Sequence, residues 1–282
     1  MDREARKAIA QETLRIIDQG RYLPTAEASA AAPLAAVSIG AEIGQSIRGS
    51  RLFTPGEGAQ LLQKYPVCAG CGQPQTRAEN LSTVEAIRIL AAEGREEIGV
   101  LNFASAKKPG GGFLNGAVAQ EESLALSSSL YPTLTAHDTF YKENRANPSM
   151  MYLDYAIYSP GVVFFRDESL RLTPTPVRAS VLTLPAVNMG QVRLKGEDPQ
   201  KAKEVMRRRM RLALALFAEQ GARHLVLGAY GCGVFRNDPA EIASWWRELL
   251  DEGMSRYFDT VFHAVLDHSK DQLCIRAFIE PV

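Results

Sequence analysis

Two adjacent glutamates, Glu121 and Glu122, stand directly after Gln120, which is separated by seven residues from three consecutive glycines, Gly110, Gly111 and Gly112. Glycine makes positive φ cheap and lets another group approach the backbone closely. Successive amides in such a loop can turn inward together and hold an oxyanion. A carboxylic acid at its lip suits glycosidic cleavage, which passes through an oxocarbenium-like state and needs a proton on the leaving oxygen. That acid must keep its proton near neutral pH, and a neighbouring carboxylate, a bound diphosphate and partial burial each raise its pKa. Once deprotonated, the same group can activate the incoming water. Adjacent residues cannot easily flank a sugar from opposite sides. One catalytic and one sugar-positioning glutamate is therefore a more natural division than a nucleophile and an acid. A helix start, where acidic side chains favour the macrodipole, explains the same pair without chemistry.

A second glycine-rich loop, GAYGCGVFRNDP, covers residues 228–239. Gly231, Gly233 and the backbone around Val234 could cradle phosphate, with a helix start at Asp238 and Pro239 close behind. Neither loop is a P-loop, because no lysine follows either glycine cluster in that register, and Gly110, Gly111 and Gly112 lack the dinucleotide-fingerprint spacing. Kinase, ATPase and dehydrogenase readings are disfavoured. Cys68 and Cys71 have the spacing of half a zinc site, but no second Cys-x-x-Cys or His-x-x-x-His pair completes it, so reduced thiols in a turn are the preferred reading.

The elements that must position these loops read as alternating helices and short buried strands. Residues 2–19 predict a helix ending at Gly20. The rest of residues 21–80, including an Ala-rich stretch from 26 to 36 and turns at Pro55 and Gly56, carries no legible chemistry. Ser82 and Glu85 fit a capping box opening a helix that stops near Gly94. Apolar runs at 98–104, 161–165, 179–187, 224–230 and 260–267 predict strands, and 273–279 a strand or terminal helix. Helices run from Asp198-Pro199 to Gln220, its MRRRMR segment read as a solvated face, and from Asp238-Pro239 through Leu250. Both glycine loops then leave strand C-terminal ends, where open α/β sheets bind ligands. The pattern predicts a three-layer α/β/α fold with a parallel or mixed sheet.

Composition sets outer limits. The 282 residues are 46% hydrophobic and carry 32 basic and 32 acidic side chains, so an anion must be held by local geometry rather than by the protein's overall field. No polybasic anchor, signal-peptide core or run long enough to span a bilayer is present, and four cysteines are too few for a disulfide-stapled fold. Cytoplasm is the expected compartment, with no membrane or duplex nucleic-acid partner and a monomer as the default.

The stretch VLNFASAKKPGGGFLNGAVAQEE, followed in order by LPAVNMG, GAYGCGVFRND and VFHAVLD, resembles the bacterial-type poly(ADP-ribose) glycohydrolases. The likeness covers about residues 75–282 and, more loosely, the region before them. It implies a macrodomain over residues 80–282, with a mixed central sheet and a mainly helical N-terminal extension, residues 1–79, packed on it. Glu122 would be the general acid and Glu121 would hydrogen-bond the terminal ribose, with Gln120 fixing their loop. Gly110, Gly111 and Gly112 would lie against ribose and diphosphate. Gly231, Cys232, Gly233, Val234 and Phe235 would form the diphosphate loop, Phe235 orienting the ribose, and Asn102 would contact ribose. Tyr141, Tyr152, Tyr155 and Tyr158 remain open for the adenine. The implied reaction is hydrolysis of ribose–ribose bonds in poly(ADP-ribose), mainly from chain ends, releasing ADP-ribose without metal or cofactor. Poly(ADP-ribosyl)ated proteins in a DNA damage response would be the partners. Three rival readings are a macrodomain that binds ADP-ribose without cleaving it, a hydrolase of mono-ADP-ribosylated protein or DNA and, most distant, a zinc-dependent nucleotide enzyme resting on Cys68 and Cys71.

Overall fold

The computed structural model describes residues 1–25, 35–66 and 74–279. The chain opens with α1 (Arg3–Gln19), whose N-cap Asp2 accepts from the Ala5 amide and whose C-terminus turns at Gly20, φ +64. A left-handed residue there is what glycine supplies at a helix end. A two-stranded ribbon, β1 (Arg21–Tyr22) with β2 (Val37–Ser38), leads to α2 (Gly40–Gly49), β3 (Arg51–Phe53) and α3 (Pro55–Lys64). Where the sequence predicts only turns, Thr54 and Glu57 form a complete capping box at the start of α3. At Ser82 only half of the predicted box forms, its hydroxyl accepting from the Glu85 amide at 3.1 Å.

Next come β4 (Gln75–Glu79), α4 (Thr83–Ala92), β5 (Ile98–Phe103), α5 (Gln120–Ser127), α6 (Leu130–Thr135) and α7 (Asp138–Ala146). The chain continues through β6 (Ala156–Arg166), β7 (Leu172–Leu184), α8 (Met189–Leu194), α9 (Pro199–Glu219), β8 (His224–Leu227), α10 (Pro239–Asp251), β9 (Thr260–Ala264) and α11 (Leu273–Ile279). Seven strands form one mixed sheet in the order β3-β6-β7-β5-β8-β9-β4, parallel from β7 to β4 and antiparallel where β6 meets β3 and β7. Both edge strands come from before residue 80, so that segment supplies strands as well as helices.

Side-chain alternation divides the core into two layers. Leu101, Leu182, Leu225, Leu227 and Val261 face α9 and α10, packing with Met206, Met210, Phe217 and Trp246. Val100, Val181, Val226 and Phe262 face the other way, against Leu90, Leu124, Leu134 and Phe140 of α4 to α7. This is the α/β/α sandwich predicted. Some details differ. The strand at 224 ends at Leu227, residues 273–279 are helical, and β7 begins at Leu172, running through Pro174 and Pro176. β4 is polar and largely exposed, so it carries no apolar alternation for a sequence reading to find. No helix among the described residues is long and apolar enough to cross a membrane.

The MRRRMR segment is not uniformly solvated. Arg209 is fully enclosed: its Nε donates to Asp154 at 2.8 Å, and its terminal nitrogens donate to the carbonyls of Met151, Pro185 and Tyr152 at 2.7–3.1 Å. One guanidinium thus ties α9 to residues 151–154 and to the end of β7. Removing one partner of a buried pair leaves the other charge uncompensated, at a cost of about 3–5 kcal/mol. Asp154→Ala should therefore destabilise the fold by about that amount in urea unfolding. A loss below about 1 kcal/mol would put the pair among solvent-screened bridges.

Candidate active site

β5 and β8 are parallel neighbours, so the loops that follow them leave the same edge of the sheet. In the first loop, Gln120 fastens the start of α5 to the end of β5. Its carbonyl accepts from the Phe103 amide at 2.9 Å, and its Nε2 donates to the Leu101 carbonyl at 2.8 Å and the Thr83 hydroxyl at 3.2 Å. The side chain thereby extends the strand's hydrogen bonding one step past its last partner.

That anchor turns Glu121 inward. Its carboxylate accepts from the Ser105 amide at 2.7 Å and from Asn102 Nδ2 at 3.3 Å, and the Gly110 amide also donates to it. Glu121 is only 3% exposed. Burial pushes its pKa up to about 8, against the opposing pull of the Ser105 and Asn102 donors, and the nearby Glu122 raises it further.

Glu122 is also largely buried, at 9% exposure. One carboxylate oxygen accepts from the Gly112 amide at 2.8 Å, and among the described residues no donor meets the other. Both carboxylates converge on Gly111, which has φ +60. A Cβ there would strike Glu122 Oε1 and come within 3.0 Å of Glu121 Oε2. Glycine is required twice over, by the dihedral and by the space.

The oxyanions held by the first loop are the protein's own. Gly110 serves Glu121, Gly112 serves Glu122, and the Gly111 amide donates to the Lys108 carbonyl at 3.1 Å. The second loop is the converse. Its Cys232, Arg236 and Asn237 amides are engaged with carbonyls inside the loop, whereas those of Gly231, Gly233, Val234 and Phe235 meet no acceptor among the described residues. Nothing stands within 4 Å of a Cβ at Gly233, and Val234 is 83% exposed. Asn237 braces the loop from beneath, its Nδ2 donating to the Val187 and Gly231 carbonyls at 2.8 and 2.9 Å. Unengaged amides on a tight, braced turn make an anion-binding concavity.

Other residues named from the sequence fall in distinct places. Asn102 is wholly buried on β5, its Nδ2 shared between Glu121 and Thr183, its register neighbour on β7, while its Oδ1 has no partner among the described residues. Phe235 is half-buried, with the Tyr152 ring 6.0 Å away. Of the remaining tyrosines, Tyr141 and Tyr158 are buried and Tyr155 packs on the core. A hydrogen bond with Cys274 and burial push the Cys232 thiol up, which leaves it poorly nucleophilic. Cys68 and Cys71 lie outside the described residues. Ser105, Thr83 and Asn237 are structural parts of the site that sequence reasoning missed. Each is a common turn or cap residue, and only its tertiary partner gives it meaning.

Comparison with known proteins identifies the family. The model of the microbial-type PARG catalytic domain, PARG being poly(ADP-ribose) glycohydrolase, matches residues 10–167. A crystal structure of the poly(ADP-ribose) glycohydrolase from Thermomonospora curvata superimposes with a TM-score of 0.91 at 38% identity, covering 99% of this chain and 100% of that one. The same enzyme bound to the inhibitor ADP-HPD gives 0.90 at 38% identity over 99% and 100% of the two chains. The Deinococcus radiodurans enzyme in complex with ADP-ribose gives 0.80 at 42% identity over 85% and 96%. Among curated protein sequences nothing matches. The chain belongs to the microbial-type poly(ADP-ribose) glycohydrolases, and its fold is macrodomain-like.

Two outcomes follow from the buried carboxyl. Its folded pKa lies above its unfolded value of 4.5, so its contribution to stability is full below about pH 4.5 and is lost as pH rises through about 8. Glu121→Gln removes this dependence, so its melting temperature relative to the unaltered chain should climb between pH 5 and pH 8. A pH-independent difference would mean the carboxyl is ionised throughout. Gly111→Ala should abolish turnover; a variant with more than half the normal rate would show that the two carboxylates need not converge there.

Proposed function

We propose that the protein hydrolyses poly(ADP-ribose), working mainly from chain ends and releasing ADP-ribose, with Glu122 as general acid and base. The observation that carries this reading is the pairing of two unlike loops at one sheet edge: one clamps two carboxylates, the other offers free amides to a diphosphate. Glu122 suits the acid because one of its oxygens is fixed by Gly112 while the other is unengaged and can meet a leaving oxygen. Both oxygens of Glu121 are already engaged, which suits a group that positions the terminal ribose through a fixed carboxyl.

In this mechanism the bond between the anomeric carbon and the leaving ribose oxygen breaks as Glu122 delivers its proton to that oxygen. The carboxylate then takes a proton from water as the water's oxygen bonds to the anomeric carbon, which restores the acid. The amides of residues 231–235 hold the diphosphate without a cation, and Phe235 with Tyr152 walls the pocket where ribose and base lie. Asn102 acts through Glu121 rather than on the sugar. The Gly110, Gly111 and Gly112 backbone lies against the ribose while its amides keep the carboxylates in place. The substrates are polymer chains on poly(ADP-ribosyl)ated proteins. Residues 1–79 serve as an extension that supports the catalytic region rather than as a second active unit.

Glu122→Gln should retain ADP-ribose affinity by calorimetry and lose at least ~100-fold in the rate of ADP-ribose release from polymer, because acid–base help is worth ~10²–10⁴. Turnover near the unaltered rate would remove Glu122 from the role. Polymer binding by the unaltered protein without any release would favour a reader that binds ADP-ribose only.

A further inference from the structure

We infer that Arg3 and Arg6, in the first turns of α1, are positioning residues that set the place of Glu122 through the glycine loop; this rests on the glycohydrolase reading above. Arg3 Nε donates to the Asn115 carbonyl and Arg6 Nε to the Gly116 carbonyl, each at 2.8 Å. Those carbonyls close the loop that the three glycines open. Within it, the Gly112 carbonyl accepts from the Asn115 and Ala117 amides at 2.9 and 3.1 Å, while the Gly112 amide holds Glu122. Both arginines therefore act one peptide turn from the group that fixes the acid.

α1 grips the catalytic segment at its other end as well. The Thr13 hydroxyl donates to the Leu126 carbonyl of α5 at 2.8 Å, and Ala10 is buried against Phe113, Ala125 and Leu126. Gly116 has φ +70, and the Arg3 carbonyl sits 2.5 Å from where its Cβ would be, so helix and loop are in backbone contact. A single helix thus spans the loop before the glutamates and the helix that carries them.

Local electrostatics argue that these cations are there for the tertiary contact. The start of a helix disfavours positive charge, yet α1 carries Arg3, Arg6 and Lys7 there, with Glu4 as the one acidic residue of its first turn. Lys7 is paired with Glu4 at 2.8 Å, whereas the two guanidinium groups turn toward the loop. A local preference overridden at a functional site points to a demand from elsewhere in the fold.

The test compares the unaltered chain with Arg3→Ala/Arg6→Ala, Arg6→Lys and, as a control on the same helix, Lys7→Ala. The readouts are kcat and KM on poly(ADP-ribose), ADP-ribose affinity by calorimetry, thermal melting, and amide hydrogen exchange over residues 110–117. Small misplacements of catalytic groups can cost ~10²-fold, so the double variant should lose about 10-fold or more in kcat. Its ADP-ribose affinity should change little, since the free amides lie in the other loop, and exchange across residues 110–117 should quicken. Arg6→Lys should recover part of kcat, and Lys7→Ala should match the unaltered chain. A double variant with unchanged kcat or unchanged loop exchange overturns the inference. If that variant does not fold, Arg3→Ala alone decides it, because this side chain lies at the surface: a lower kcat supports the role and an equal one refutes it. An unaltered chain that releases no ADP-ribose instead sinks the glycohydrolase reading itself.

Discussion

The site depends on amide-to-carboxylate hydrogen bonds that fix two adjacent glutamates against a backbone with no side chains in the way. A carboxyl as enclosed as Glu121 is costly to ionise, and donors from Ser105, Gly110 and Asn102 offset that only in part. The protein accepts a deeply buried acid at Glu121, and the neighbouring Glu122 is held by Gly112 with one oxygen unengaged. The triple glycine follows from this arrangement. Its amides must reach inward to both carboxylates, and at Gly111 any side chain would occupy the carboxylates' own space.

The two glycine loops look alike as text but do different work. In the first, the amides are already satisfied by protein groups, so it is a device for orienting carboxylates. In the second, the amides at Gly231, Gly233, Val234 and Phe235 remain available, and the bracing comes from the Asn237 side chain rather than from a filled centre. Free amides for an anion are thus offered by the second loop and not by the first, whose amides are already taken.

The alternation of helices and buried strands was legible because both sheet faces are covered, so β5, β8 and β9 read as plain apolar runs. The caps at Asp198 and Asp238 were legible because proline follows each of them. What escaped has a common cause: its meaning lies in a distant partner. The β4 sequence QTRAE reads as loop until β9 is laid beside it. Arg209 looks like part of a solvated cationic stripe until the carbonyls of Met151, Tyr152 and Pro185 close around it. At the site, the spacing from the glycines to Gln120, Glu121 and Glu122 marked a loop in which the two carboxyl groups do converge on Gly111. It could not say which carboxyl is the more deeply enclosed, because that is decided by Ser105 and by the register that sets Asn102 opposite Thr183.

The parallel pairing of β5 with β7 and β8 ties these pieces together. Thr183 stands level with Asn102, so the side chain beneath Glu121 is held from the neighbouring strand. On the other side, the end of β8 turns at Gly228, whose carbonyl accepts from the Trp246 indole of α10 at 3.1 Å, and the Tyr230 hydroxyl donates back to Leu184 at the end of β7. The ends of three adjacent strands are thereby locked to one another at the start of the second loop. A rigid origin of this kind lets two loops that hold no contact as strong as a covalent link keep a fixed separation, which catalysis by positioning requires. Beyond that frame, the turn around Gly233 and Val234 is the exposed part of the second loop.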